Sequence, residues 1–275
     1  MPSQDSAVRF RQLHHGKTPL LLPNAWDPGS ARLIEASGAA AIATSSAALA
    51  WARGYADGGA LPPSVLIAAV REIARVISVP LTADVEDGYS TDPRAVAETV
   101  QAVASAGAVG INLEDGKDPP DVLCAKIAAA KAGAARAGVD LFVNARTDVY
   151  LKGLVPSERR VEESIARGLR YREAGADGLF VPAVAEPEAI RRIVESVPLP
   201  LNVLVVSALP PVAELAALGV RRVSAGSGIA SAVYGLVRRA TAEFLREGRY
   251  GAMLEGGMPY PELNALFTTS GAPRG

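Results

Sequence analysis

A chain of 275 residues, 49% of them hydrophobic, can bury a full core, and one domain of barrel size fits that length. Lys and Arg number 28 against 29 Asp and Glu, mixed along the chain for a formal net charge of −1, which leaves no basic footprint for nucleic acid and no polybasic tract for a membrane surface. The single cysteine, Cys124, rules out an intrachain disulfide and points to a reducing, cytoplasmic setting.

The N-terminal Met1-Pro2-Ser3-Gln4-Asp5-Ser6 lacks the charged and apolar regions of a secretion signal. An amphipathic stretch follows with the only two histidines, His14 and His15, read as surface or barrel-floor residues. Short apolar runs then alternate with longer alanine-rich amphipathic segments, the pattern of parallel βα units. Candidate strands are 20–23, 40–44, 81–84, 109–113, 141–145, 178–181, 201–205 and 222–225. Eight such units predict a closed (β/α)8 TIM barrel. An open doubly wound sheet commonly has a glycine-rich turn after its first strand, whereas here that strand runs into Asn24-Ala25-Trp26-Asp27-Pro28. The apolar run 39–50 is too short for a membrane span and contains Thr44, Ser45 and Ser46.

Gly38, Gly107, Gly175 and Gly219 recur just before strands, where glycine suits the left-handed residue that ends a helix. Helices are expected to start at Asp92-Pro93, Ser157-Glu158 and Glu186-Pro187. The rhythm changes after Gly248, where Gly256-Gly257, Pro259 and Pro261 precede the apolar segment 262–267. Residues 1–248 are therefore assigned to the barrel. Residues 249–275 form a Gly/Pro-rich linker and a C-terminal helix, part of the same domain or of its oligomer interface.

In such a barrel the active site forms at the C-terminal ends of the strands. Asp84 and Glu86 close the third candidate strand, and Glu114 closes the fourth. Alternation along a strand puts Asp84 with Glu86, Asn112 with Glu114, and Asn144 with Arg146 on common faces. Carboxylates are costly to bury, so hard oxygen ligands converging from two strands predict a Mg2+ site. Arg146, opposite them, suits a small anionic carboxylic acid or phosphonate, which guanidinium grips through two parallel hydrogen bonds. Asn24, closing the first strand, and Asn202, in the seventh, are further candidates for lining the pocket.

The segments Ala43-Thr44-Ser45-Ser46, Asp84-Val85-Glu86-Asp87-Gly88-Tyr89, Leu113-Glu114-Asp115 and Asn144-Ala145-Arg146 resemble the isocitrate lyase/phosphoenolpyruvate mutase superfamily in their order and spacing. The resemblance implies a Mg2+ cofactor, with Mn2+ as substitute, and α-oxo or α-hydroxy acid substrates. It further implies homodimers or homotetramers in which a C-terminal helix is swapped between subunits. Asp84 would touch the metal directly, with Glu86 and Glu114 bound mostly through waters. Ser45 and Ser46 would offer a hydroxyl and backbone N–H groups to the substrate carboxylate, beside Asn144. Arg146 would stabilise developing negative charge, and Asp57, in Gly54-Tyr55-Ala56-Asp57-Gly58, matches an aspartate close to the substrate.

The family's lyases carry a loop after the fourth strand with a K-[KR]-C-G-H-type motif whose cysteine protonates the departing carbon. Here that loop reads Gly116-Lys117-Asp118-Pro119-Pro120-Asp121, and Cys124 falls in the following helix. Lys117 is the candidate to replace the loop's lysine. The expectation is a Mg2+-dependent lyase that breaks a C–C bond through a pyruvate-like enolate, methylisocitrate lyase-like or oxaloacetate decarboxylase-like, with decarboxylation the better fit to the missing acid. The alternatives are a phosphoenolpyruvate phosphonomutase or phosphonopyruvate hydrolase reaction, and a non-catalytic α-oxo acid-binding protein.

Overall fold

The computed structural model describes residues 4–268. Residues 1–3, at the start of the segment inspected for a leader, and 269–275, at the end of the expected extension, lie outside the described residues. The strands are β1 (Leu20–Leu22), β2 (Asn24–Ala25), β3 (Ile42–Thr44), β4 (Leu81–Asp84), β5 (Gly110–Glu114), β6 (Phe142–Arg146), β7 (Gly178–Phe180), β8 (Leu201–Leu204) and β9 (Arg222–Ser224). The helices are α1 (Gln4–Gln12), α2 (Pro28–Ala36), α3 (Ser46–Ala52), α4 (Pro63–Val76), α5 (Pro93–Ser105), α6 (Pro120–Arg136), α7 (Arg160–Glu173), α8 (Pro187–Ser196), α9 (Val212–Ala217), α10 (Gly228–Glu247), α11 (Gly251–Leu254) and α12 (Tyr260–Thr268).

All pairings are parallel, in the order β1-β9-β8-β7-β6-β5-β4-β3-β2. The expected first strand is longer than the sequence suggested and is split at Pro23, which has no N–H to give a ladder. Its first half pairs with β9 and its second half with β3, so the two halves close the ring. The Pro23 carbonyl still accepts from the Ala43 N–H at 3.0 Å. The outcome is a TIM-like barrel, and the remaining strand boundaries fall within two residues of expectation.

The helices anticipated from local signals form for the reasons given. Asp92 caps α5 by accepting from the Arg94 N–H, and the four pre-strand glycines all have positive φ, from 89° to 126°. Ser157 instead opens a short 3-10 turn, so α7 begins at Arg160. No helix among the described residues is long and apolar enough to cross a membrane.

Helix α1 plugs the barrel floor. Phe10 is wholly buried and meets Phe142 edge-on, with ring centroids 5.5 Å apart. His14 stacks on Phe142 and its Nδ1 lies 2.8 Å from the Phe10 carbonyl. Burial and the nearby Arg222 charge push the His14 imidazole down to about 3, so it is neutral at physiological pH. Gly110 makes this plug possible, because a Cβ there would stand 2.6 Å from the Phe10 ring.

The site strands β4 and β5 are held in register by their helices, α5 and α6, which touch through backbone. A Cβ on Gly133 of α6 would lie 2.2 Å from the Ala97 carbonyl oxygen of α5. Gly133→Ala must therefore push the two helices apart. We expect a loss of about 1–3 kcal/mol, the usual cost of overpacking, read as a lower urea midpoint; an unchanged midpoint would disprove the close crossing.

Candidate active site

At the C-terminal ends of the strands a cavity of about 180 Å³ is lined by Asn24, Ser45, Ser46, Asp57, Asp84 and Arg146, with Asn112 and Ser224 deeper in. Leu151, Phe180, Pro182 and Leu204 complete its walls. A second chamber of about 270 Å³ adjoins it in sequence and space, lined by Gly58, Gly59, Glu86, Glu114, Lys117 and Lys152. A larger groove of about 760 Å³ lies on the barrel flank beside β1 and α2, but no ionisable side chains converge there.

Ser45 and Ser46 reach the cavity because β3 runs straight into α3. Ser45 is the N-cap, accepting from the Ala48 N–H at 3.4 Å, and the Ser46 N–H points at the Asp84 carboxylate. Asp84 is buried at the end of β4, where its own N–H is fixed by the Thr44 hydroxyl at 2.9 Å. Glu86 is not brought in by strand alternation, since β4 ends at Asp84. It sits in the turn 85–88 with φ of 50°, and its N–H donates to Asp84 Oδ1 at 3.1 Å. That left-handed turn re-aims Glu86 into the second chamber, where Tyr89 Oη donates to it at 3.1 Å.

Arg146 stands opposite Glu114 in the β5–β6 register and pairs with it at 2.8 Å. Its Nε donates to the fully buried Asp148 at 2.7 Å, and its guanidinium lies 5.8 Å from the Phe180 ring centroid. Lys152 closes the network, 2.7 Å from Asp148 and 3.5 Å from Glu114. Asp148 is held in turn by its N–H to Asp115 Oδ1, and Asp115 Oδ2 accepts from Arg167 and Tyr171 at 2.8 and 2.7 Å. Sequence reasoning put Asn112 on the Glu114 face without assigning it to the site and offered Asp148 or Asp115 only as an alternative partner for Arg146; it missed Lys152, Arg167 and Tyr171. The consecutive Asp115 and the Arg146-x-Asp148 spacing were the available signals.

The acids are crowded. Burial pushes the Asp84 carboxyl up, with Arg146 opposing and Asp57 adding to the rise. Burial likewise raises Glu86, against the Tyr89 hydrogen bond and with the Asp84 charge adding to it. Glu114 is pushed to about 7 by burial, with Asp148 and Asp84 outweighing part of the Arg146 attraction. These are the conditions that a divalent cation relieves, so the donor set fits a hard metal ion. Among the described residues, however, no three acid, His or Cys side chains stand close enough to ligate one ion directly.

The other expected residues fall as follows. Lys117 lines the outer chamber, on a loop tied down by the Asp118 carbonyl, which accepts from Arg167, and by the Asp118 carboxylate, 4.0 Å from Lys126 Nζ. Asn24 is at the cavity wall, but both its polar atoms are engaged, donating to the Thr44 carbonyl at 2.7 Å and accepting from the Gly226 N–H at 2.8 Å. Asn144 and Asn202, expected at the substrate, lie a layer below and do not line the cavity, because two residues along a strand is one layer of the barrel. Cys124 lies in α6 with its Sγ 3.7 Å from the Arg170 carbonyl of α7, away from both chambers.

The family model described as phosphoenolpyruvate phosphomutase matches residues 10–245. An uncharacterized protein of Mycobacterium tuberculosis is 38% identical over 94% of this chain and 95% of its own length. Oxaloacetate decarboxylase of Pseudomonas fluorescens is 30% identical, covering 96% of this chain and 92% of that protein. The crystal structure of a phosphonopyruvate hydrolase in complex with oxalate and Mg2+ superposes with a TM-score of 0.83 at 28% identity, covering 98% of this chain and 95% of the other.

An isosteric change at Asp84 separates its charge from its shape. Its carboxylate pKa is raised in the folded state, so ionised Asp84 destabilises the metal-free fold at neutral pH. Asp84→Asn is expected to melt higher than the native chain in chelator. Mg2+ at a hundredfold excess over Kd is expected to stabilise the native chain by about 2.7 kcal/mol and Asp84→Asn by less. An equal Mg2+ response in both proteins, measured by calorimetry, would remove Asp84 from the metal site.

Proposed function

The chain belongs to the phosphoenolpyruvate mutase family of the isocitrate lyase/phosphoenolpyruvate mutase superfamily, and from that premise we propose that it is a Mg2+-dependent lyase that breaks a C–C bond of a small α-oxo acid. Decarboxylation of an oxaloacetate-type substrate is the favoured reaction. The observation that carries this is the pairing of a small anion-binding cavity with the absence of a thiol acid. The cavity offers about six waters' share of liquid volume, at roughly 30 Å³ each, which favours a four-carbon diacid over a larger tricarboxylate. The loop after β5 is short and bound at Asp118 by Arg167 and Lys126, and Cys124 lies against Arg170 of α7. A retro-aldol cleavage needs an acid for the departing carbanion, whereas loss of CO2 leaves only an enolate that water can protonate.

Asp84 would hold the ion directly, with Glu86 and Glu114 through waters, and the ion supplies Lewis-acid polarisation of the substrate's oxo oxygen. The Ser46 hydroxyl and the Ala47 N–H at the start of α3 receive the carboxylate that is retained, while the Ser46 N–H stays on Asp84. Arg146, oriented by Glu114 and Asp148, holds the oxo oxygen and stabilises the negative charge that develops as the C–C electron pair moves onto it. Leu151, Phe180 and Leu204 exclude water around that charge and so strengthen its interactions. Asp57 lies on the cavity wall beside Asp84, in reach of the leaving carboxylate by placement.

Phosphonopyruvate chemistry is the second reading. Lys117 and Lys152 in the adjoining chamber favour it, since they suit the extra charge of a phosphonate. The two readings share one test, a substrate panel scored for pyruvate and phosphate with and without Mg2+. Metal-dependent pyruvate from oxaloacetate is expected. Phosphate from phosphonopyruvate would select the second reading, and ligand-induced stabilisation without turnover would leave a binding protein. Arg146→Lys keeps the charge but loses the fork, and a fall of about 10²- to 10³-fold in kcat is expected.

The assembly is read as a homodimer or homotetramer. Of the twenty residues of α10 only Ala230 is fully buried, so this helix does not lie back on the barrel. The flank groove beside β1 stays open, with Leu21 half exposed. Leu245, Leu254 and Tyr260 are 75%, 72% and 78% exposed on α10 to α12. This exposed apolar surface supports a swapped arrangement in which a second copy's C-terminal helices would cover it, while α12 rests on α2 of its own chain, where Arg32 Nε donates to the Leu266 carbonyl at 3.1 Å. Phe244→Glu with Leu245→Glu is expected to shift the light-scattering mass toward the monomer; an unchanged mass would place the interface elsewhere.

A further inference from the structure

Arg222 is a cation buried in the barrel interior without an acid against it. It rises from β9, is 1% exposed, and makes no salt bridge. Its Nε donates to Ser224 Oγ at 3.3 Å and one terminal nitrogen donates to Asn112 Oδ1 at 3.1 Å, across the barrel from β9 to β5. The other terminal nitrogen has no protein partner. Burial lowers this guanidinium to about 9 against the opposing pull of Asp84, so it is still charged at neutral pH. A charge kept in such a place at the cost of desolvation calls for a reason beyond packing.

The reason lies in what it does to Asn112. A guanidinium has only donors, so it admits one flip state of the amide, with Oδ1 facing Arg222. Asn144 Nδ2 donates to the same oxygen at 2.9 Å, which fixes the orientation a second time. The Asn112 Nδ2 therefore turns away from both. Among the described residues it makes no hydrogen bond, and its residue lines the 180 Å³ cavity. Asn24, on the same wall, spends both amide atoms on backbone. Asn112 pairs with Asp84 in the β4–β5 register, which puts this donor beside the direct metal ligand.

We propose that Asn112 donates its Nδ2 N–H to an oxygen of the bound oxo-acid anion, and that Arg222 is the positioning residue that holds this donor in place from below. The inference rests on the reading of the cavity as an oxo-acid site and goes beyond it by naming a residue that selects anionic oxygen over a donor group. Asn112→Asp reverses that selection, replacing a donor with a charge of the ligand's own sign.

Oxalate titrated calorimetrically in saturating Mg2+ tests it on the full chain. Asn112→Ala is expected to weaken oxalate about 10- to 100-fold, and Asn112→Asp to weaken it further. Arg222→Met should weaken oxalate in the native background but by less than about twofold when Asn112 is already Ala, since a positioning residue acts only through the group it positions. Should Arg222→Met fail to fold, Arg222→Lys enters the cycle in its place. Native affinity in Asn112→Ala would overturn the donor role, and fully additive losses would overturn the positioning role. No binding of oxalate by the native chain would instead defeat the oxo-acid reading on which both depend.

Discussion

Four carboxylates, those of Asp57, Asp84, Glu86 and Glu114, line two adjoining chambers at the mouth of one barrel. Their mutual repulsion and desolvation raise three of them, and much of the surrounding structure works to hold that charge in place. Arg146 balances Glu114 from the facing strand, Asp148 fixes Arg146, and Asp115 with Arg167 and Tyr171 fixes the segment carrying Asp148. Such a site costs the folded chain stability, a cost that a divalent cation would relieve. The alanine-rich helices and their close crossings supply the stability that this arrangement consumes.

The polar interior is layered. At the top the acids, Ser46 and Arg146 face the cavity. One layer down, Asn144, Asn202, Ser224 and Arg222 form a hydrogen-bonded bridge between β6, β8, β9 and β5, with Asn112 the member that spans both levels. Below it, His14 and Phe10 seal the floor in an uncharged layer. The gradient from charged to neutral explains why a cation as large as arginine is tolerated at mid-depth: it lies within the field of Asp84. It also explains why the histidine beneath it is neutral.

Much of the barrel was legible because each strand is bounded by its own local signals. Apolar runs, pre-strand glycines and the Asp92 cap are read from neighbours in sequence, and they placed strands to within two residues. The exceptions have local causes that compete with the pattern. Pro23 divides a strand the apolar run made continuous, and the Glu86 turn replaces an alternation that would have required β4 to run two residues further. Arg146 and Asp84 were legible as site residues because charge at the end of an apolar run is anomalous wherever it occurs.

The sequence by itself determined the alternation of strand and helix, the family, and the identity of the acids and arginine at the strand ends. These follow from residue chemistry and from spacings of a few positions. Only the tertiary structure decided the division into two chambers, the engagement of Asn24, the depth of Asn144 and Asn202, and the facing of Asn112 into the cavity. The engagement of the asparagines depends on which amide atom meets which partner, and closure of the ring brings partners twenty or more residues apart within 3 Å or so of one another.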